Sequence, residues 1–423
     1  MLLSLRSSLP SYVRQFANPL YSSQSLACID WHPTTKGVLG VSVCKTMSFD
    51  ERVEVSGQVD VAYVIIWEFA EWIKPQLVLQ SPHETFTFKF NPTMPNIVCG
   101  GCYSGQAIMW DLNEAMEAIE RKKQDKKKDD GNDDEDEERP IVQHAAMSHI
   151  DTSHKRMVAD MVWLPADSQV NYKGQILAEE HLDGKTYQFM TIAGDGQALI
   201  WDIRYTDIAA GKYPHIAKAL KGAGTDKGKD VGKVPWLPVF RMNVKRLEGV
   251  GELSLCKLLA GFSGFEETGG GNGGSVDKRS QVLCCSEEGE LVKADWRAKR
   301  GGGGGGGGVG AGAGGPGSGD KKDDDDEGND VPEYVQWLVK DHNRPCVALE
   351  KSPFFGDIVM TVSDWNFHIW KLGGGSEKPV FTSPNASTYL TGGRWSPTRP
   401  GMLFISKEDG CVDVWDFTDS SYR

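Results

Sequence analysis

Cysteine is scarce in this chain of 423 residues: nine are scattered along it, an odd number with no regular spacing. No secretory leader or disulfide framework accompanies them, and reduced thiols are expected. No run of eighteen apolar residues occurs, which leaves no segment suited to span a membrane as a helix. Positive charge is also short, with 46 Lys and Arg against 59 Asp and Glu and a net charge of −13. A nucleic-acid binder gains affinity by neutralising phosphates with a basic face, and nothing here builds one. The same sign of charge argues against gripping anionic lipid, and the basic Phe-Arg-Arg-Gly loop of lipid-binding relatives of this architecture is absent.

Catalytic signatures are missing as well. There is no GxxxxGK[ST] and no GxSxG, and the glycine tracts that contain GxGxxG neither follow a strand nor open a helix. Cys99-Gly100-Gly101-Cys102 is a CxxC without a second pair or spaced histidines, so a metal site lacks half its ligands. Cys99 is expected to end a core strand instead. No cofactor, metal or small-molecule substrate is therefore expected, and the chain reads as a non-enzyme.

What the chain does have is tryptophan, 13 residues of it, in register. An apolar run ending in aromatic-x-Pro recurs as Ile29-Asp30-Trp31-His32-Pro33, Phe88-Lys89-Phe90-Asn91-Pro92, Met161-Val162-Trp163-Leu164-Pro165 and Gly393-Arg394-Trp395-Ser396-Pro397. Leu349-Glu350-Lys351-Ser352-Pro353 is a weaker copy. Proline fixes φ and lacks an N–H, so each copy reads as a strand followed by a turn. A second unit follows: a strand, a tight turn, and an alternating strand that closes on tryptophan. Its tryptophans are Trp67, Trp110, Trp201, Trp370 and Trp415, with Asp111, Asp202 and Asp416 next in chain after three of them. Pro92 to Trp110 and Pro397 to Trp415 are each 18 residues, and Pro353 to Trp370 is 17. Six positions ahead of the tryptophan stand Ser104, Asp195, Asp364 and Asp409, three of them followed by Gly, as a turn between antiparallel strands requires.

A divergent unit over Val282–Asp295 keeps the pattern with Ala294 in the tryptophan place and Asp295 in that of the aspartate. The count is then six blades of an all-β WD40 propeller, at about 25–80, 81–115, 144–206, 235–298, 333–374 and 382–418. The opening strands of the fourth are expected at Val239–Asn243 and Leu253–Ala260. His154 and His342 precede strands of the third and fifth blades. They are expected to bond the turn acids, linking His154 to Asp195 and Trp201, and His342 to Asp364 and Trp370, as buried polar chains with a structural role.

Residues 1–24 form a lead-in with Arg6, Arg14, several Ser and no acid, read as an approach to the first repeat in preference to a transit peptide. The domain spans 25–418. Within it, 121–139 and the Gly-rich and acidic stretch 301–330 lack the apolar content to offset ordering entropy and are expected to be disordered. Gly264–Gly274 is a smaller loop of the same kind, and a short charged helix is expected over Ala115–Lys127.

At Gly100-Gly101-Cys102-Tyr103-Ser104-Gly105-Gln106, continuing to Trp110-Asp111, the chain resembles the GG-x-YSGQ-x-x-x-WD stretch of axonemal dynein intermediate chains. Cys28–Thr34 running into Ser48–Val53, His154–Leu164, and Glu287–Val292 with Asp295-Trp296 resemble the intermediate chain of the two-headed inner arm. The resemblance covers about 25–418 apart from the inserts. It implies a scaffold subunit in the axoneme of cilia and flagella, and in cytoplasm and cytoskeleton, with a dynein heavy chain and the other dynein intermediate chain as partners. It also implies seven blades, so a last blade is expected to be truncated here, with a closed ring of six as the rival. Light-chain binding, which the family places on an extension ahead of the propeller, is not carried over. An adaptor for a ubiquitin ligase or for intraflagellar transport is the alternative from the same architecture.

Overall fold

Each aromatic-x-Pro run closes a strand, and the strand it closes is the first of a sheet. The computed structural model describes residues 24–47, 51, 61–69, 75–126, 140–218, 234–246, 251–261, 278–299, 333–372 and 378–418. Residues 1–23, Gly264–Gly274, 127–139 and 301–330 lie outside the described residues, and with them the expectations of a lead-in, a small loop and disordered inserts.

Six antiparallel sheets follow one another in a β-propeller arrangement. The first holds β1 (Gln24–Trp31), β2 (Val38–Lys45), β3 (Ala62–Glu68) and β4 (Leu77–Ser81), with β8 (Ile141–Val142) added parallel to the edge of β4. The second holds β5 (Thr85–Phe90), β6 (Ile97–Cys102), β7 (Ala107–Asp111) and β9 (Ala146–Met147). The third holds β10 (Val158–Trp163), β11 (Gln188–Ala193), β12 (Gln197–Asp202) and β13 (Phe240–Asn243). The fourth holds β14 (Leu255–Ala260), β15 (Gln281–Ser286), β16 (Glu290–Lys299) and β17 (Glu333–Lys340). The fifth holds β18 (Cys346–Lys351), β19 (Ile358–Ser363), β20 (Phe367–Lys371) and β21 (Phe381–Thr382). The sixth has β22 (Leu390–Trp395), β23 (Met402–Lys407) and β24 (Val412–Asp416). The innermost strands β1, β5, β10, β14, β18 and β22 lie side by side in chain order.

The repeat read in the sequence is out of phase with the sheets by one strand. β13, within the stretch assigned to the opening of the fourth blade, is the outer strand of the third sheet, pairing with β12. Likewise β9, β17 and β21 complete the second, fourth and fifth sheets, although the sequence count places each at the start of the next unit. The reason is that the visible motif closes on the tryptophan of the third strand. The outer strand carries no signature of its own, and it feeds directly into the next innermost strand.

Two α-helices occur among the described residues: α1 (Asn113–Lys126) and α2 (Tyr205–Ala209). α1 corrects the insert boundary, because residues 121–126 continue the helix where disorder was expected from Arg121. Its apolar side chains Ala115, Met116 and Ile119 pack on the core shared by the first two sheets, which gives this stretch the burial its composition alone does not promise.

The core is a series of layers between sheets. Phe88, Phe90, Val98 and Trp110 of the second sheet pack on Val38, Val64, Ile66, Leu77 and Leu79 of the first. Met161, Trp163, Phe189 and Trp201 of the third pack on Cys99, Ala107 and Met109 of the second. Each tryptophan therefore faces the sheet before its own. The interior sheets must then be apolar on both sides, and β11 and β15 are buried at every residue.

Candidate protein-docking surface

The tryptophans and their polar neighbours set the geometry from which any surface is presented. In the third sheet, His154 Nδ1 meets Asp195 at 3.1 Å and His154 Nε2 meets the Thr191 hydroxyl at 2.9 Å. Trp201 Nε1 donates to the same hydroxyl at 2.8 Å. Asp195 also accepts the backbone N–H groups of Lys155 and Gln197. Burial opposes its charge most strongly, but the bond and charge of His154 and the two backbone N–H groups together outweigh it and hold its carboxyl below the usual range. Both imidazole nitrogens are thus occupied within the fold, and neither is left to handle a substrate proton.

The fifth sheet repeats this with one change. His342 Nε2 meets Thr361 Oγ1 at 2.8 Å, and Trp370 Nε1 donates to Thr361 at 2.8 Å. His342 Nδ1 faces Asn366 Oδ1 at 3.0 Å, so Asn366 takes the place expected for Asp364. The threonine that joins histidine to tryptophan is the member the sequence reading missed. Its signal was present: Thr191 and Thr361 each sit ten or nine residues before the tryptophan on the paired strand. Without a carboxylate partner, burial and the neighbouring His368 push the His342 imidazole down to about 3.

The other residues singled out fall into two groups. Asp111, Asp202, Asp295 and Asp416 each accept the backbone N–H two residues on, from Asn113, Arg204, Arg297 and Thr418, at 2.8–3.0 Å. For Asp111, Asp202 and Asp416 this fixes the turn that leaves the third strand, an Asx turn, whereas Asp295 lies within β16. Asp409 does the same for Cys411 in the turn before β24. Trp110 and Trp201 are fully buried and Trp415 nearly so, while Trp67 is only half-buried. Trp110 Nε1 bonds the backbone oxygen of Gln80 in the preceding sheet, not a threonine. In the divergent fourth sheet Ala294 is buried beside Trp296, so the indole has moved two residues along the same face. Cys99 and Cys102 are both buried on β6, and burial pushes the Cys102 thiol up to about 11.

Alternating strand direction puts the turns between second and third strands, and the links between sheets, at one end of the propeller. Exposed aromatic rings occur at this end and, as Trp31, Phe69, Phe354 and Phe355, at the opposite one. Trp365 and Tyr389 contact each other at 4.5 Å between centroids, and Tyr103 lies 6.0 Å from Phe86. Ile150 and Met157 add exposed apolar area on the link into the third sheet. Large amphipathic rings held outside the core on stiff turns are what protein interfaces use as anchors.

Sheets of this order, with indoles between them and aspartate-closed turns, define a WD-repeat β-propeller. Residues 12–263 and 320–423 match the model of the dynein axonemal intermediate chain 3 WD40 domain, and the chain belongs to that family. It is 28% identical to dynein axonemal intermediate chain 3 of Macaca fascicularis over 95% of this chain and 47% of the relative. To the Danio rerio protein of the same description it is 26% identical, over 94% of this chain and 41% of that one. The 70 kDa intermediate chain of the flagellar outer arm dynein of Chlamydomonas reinhardtii is 21% identical over 96% of this chain and 50% of its own. The chain spans about half the length of these curated relatives.

Proposed function

We propose that this chain is a non-catalytic scaffold subunit of an axonemal dynein complex of the inner arm, which seats on a dynein heavy chain through its propeller. The observation that carries the reading is the family match across both halves of the repeat array, to relatives described as axonemal dynein intermediate chains. The turn end that presents Tyr103, Trp365 and Tyr389 is the surface offered to the heavy chain, with the other intermediate chain as a second neighbour. A rigid array of sheets holds these rings in place at little entropic cost, which favours a docking role. The site of action is the axoneme of cilia or flagella, within cytoplasm and cytoskeleton.

The test is capture from a flagellar extract on the immobilised chain. Recovery of inner-arm heavy chains supports the reading. Recovery of ubiquitin-ligase or intraflagellar-transport subunits in their place overturns it. A Trp365→Ala, Tyr389→Ala double variant is expected to lose at least roughly 90% of the heavy-chain recovery, since two anchors of this type each contribute about 2 kcal/mol or more.

A further inference from the structure

Two histidines outside the bonded chains of the core meet on the third sheet. That sheet carries two excursions, residues 164–187 between β10 and β11 and residues 203–218 after β12. The two share a small apolar core of Leu177, Ile208 and Ile216, with Leu182 and Tyr213 packed on it. The Tyr172 N–H donates to the Ile216 oxygen across them at 2.8 Å. His181 ends the turn Glu179–His181 of the first excursion. His215 lies in a turn of the second, which the Ile216 N–H closes on the Tyr213 oxygen. Leu182 and Ile216 enter the small core while the residue before each stays at the surface, His181 exposed and His215 half-buried. The two imidazoles stack with 4.0 Å between centroids and 9° between planes.

The pair differs from the core histidines in what its nitrogens do. His154 and His342 each bond both ring nitrogens within the fold. His342 and His368 also lie close, at 4.1 Å, but both are buried. Among the described residues no hydrogen bond ties the ring of His181 or His215 to the fold. The Glu180 carboxylate stands 3.6 Å from His181 Nε2, past hydrogen-bond reach. Burial first, then the neighbouring His181 and Arg204, push the His215 imidazole down, which favours a neutral ring with a lone pair at neutral pH. The charge of Arg204 is itself balanced by Asp202 at 2.8 Å.

We propose that His181 and His215 together hold a divalent transition-metal ion of the imidazole-preferring class, Ni²⁺, Cu²⁺ or Zn²⁺, between the two excursions of the third sheet. Neutral imidazole suits these ions through its lone pair. Two nitrogens each about 2 Å from one tetrahedral ion lie roughly 3.3 Å apart. Rings whose centres are 4.0 Å apart reach that separation by a small tilt, and both rings have solvent on one side in which to make it. Glu180 adds negative charge beside the ion without enclosing it. Among the described residues no set of three His, Cys, Asp or Glu is placed to enclose a metal. The ion therefore keeps positions open to water, as metals with an incomplete protein shell do. Its binding pins the first excursion to the second, and protons compete with it as the pH falls.

Calorimetric titration of the full chain with Ni²⁺ at neutral pH tests this. The affinity is expected to fall at least roughly tenfold in His181→Ala and in His215→Gln. It is expected to stay unchanged in His149→Ala, which removes an exposed histidine 3.6 Å from Asp151, and in Cys411→Ser, which removes the exposed thiol. An unchanged unfolding midpoint without metal marks each variant as folded. Electron paramagnetic resonance of the Cu²⁺-loaded parent needs no variant and is expected to show coupling to two nitrogens. Equal Ni²⁺ affinity in the parent and both histidine variants overturns the site. So does coupling to fewer than two nitrogens in the parent.

Discussion

Trp201 and Thr191 are joined by a 2.8 Å hydrogen bond from indole to hydroxyl across two paired strands, and the same hydroxyl holds His154. All three groups are buried, so neither water nor another partner can replace the threonine oxygen. Thr191→Val keeps the shape and deletes the oxygen, which orphans an indole N–H and an imidazole nitrogen. Each buried polar group left unpaired costs about 1–3 kcal/mol. The expected loss is roughly 2–4 kcal/mol in denaturant unfolding. A change below about 0.5 kcal/mol would show that the chain from histidine to tryptophan is incidental.

The fifth sheet contributes to the pH dependence of stability through a buried histidine. His342 titrates near 3 when folded because burial and His368 oppose its charge, with the Asn366 bond offsetting only part of this. Facing the pair are the hydroxyls of Thr361 and Thr382 and the carboxylate of Asp341, 3.2 Å from His368. The unfolded histidine takes up a proton near pH 6.5, so below that pH the unfolded state binds more protons and stability falls. Stability from this group is complete above about pH 7 and drops as pH falls toward 3, by about 2 kcal/mol at pH 5. His342→Gln should unfold with a shallower fall in stability between pH 7 and 5, the remainder belonging to His368, His32, His83 and His215, whose imidazoles burial also pushes down. Equal pH slopes for variant and parent would place the effect elsewhere.

Gly105 follows Ser104 in the first clear turn of the repeat and has φ of 84°. A Cβ there would collide with the backbone oxygen of His154, and Gly289, at φ 82°, stands in the same relation to His342. These glycines are required twice over, for the left-handed backbone and for the close approach of the following link. Gly105→Ala is expected to lower stability by roughly 2–4 kcal/mol, more than conformational strain alone accounts for. Calorimetry of Gly105→Ala beside Gly184→Ala separates the two causes. Gly184 has φ of 78° with nothing near its Cβ position, so it pays strain without collision.

How much of this was legible in the sequence follows from which residues carry a fixed conformational demand. Proline after an aromatic, Gly105 or Gly196 in a turn, and tryptophan before aspartate each mark a place in the sheet, so six sheets could be counted. β9 and β21 are two residues each, too short to show an alternation of buried and exposed side chains, so no pattern in the sequence signals them. The same holds for partner choice at a buried histidine. Asp364 and Asn366 are both turn residues, and only the path of the chain from Ser363 to Asn366 decides which one reaches His342. Half-exposure of Trp67 was also illegible, because its strand alternates like that of Trp110, and what differs is that among the described residues no sheet packs in front of it.

Arg204 shows how a single residue ties the large insertion of the third sheet to its core. Its guanidinium lies 3.9 Å from the centre of the Tyr187 ring and 4.8 Å from that of Tyr213, and it grips both oxygens of the buried Asp202. A further bond reaches Gln169 on the link after β10. Burial disfavours the cation, but the carboxylate outweighs it and raises its pKa above the usual arginine value. Lysine keeps the charge but has neither the fork nor the plane that stacks between two rings. Arg204→Lys is therefore expected to cost about half of what Arg204→Met costs, the latter leaving Asp202 as an uncompensated buried charge at roughly 3–5 kcal/mol. If Met and Lys prove equally mild in thermal unfolding, the carboxylate is held by Gln188, 3.0 Å away, and by backbone alone.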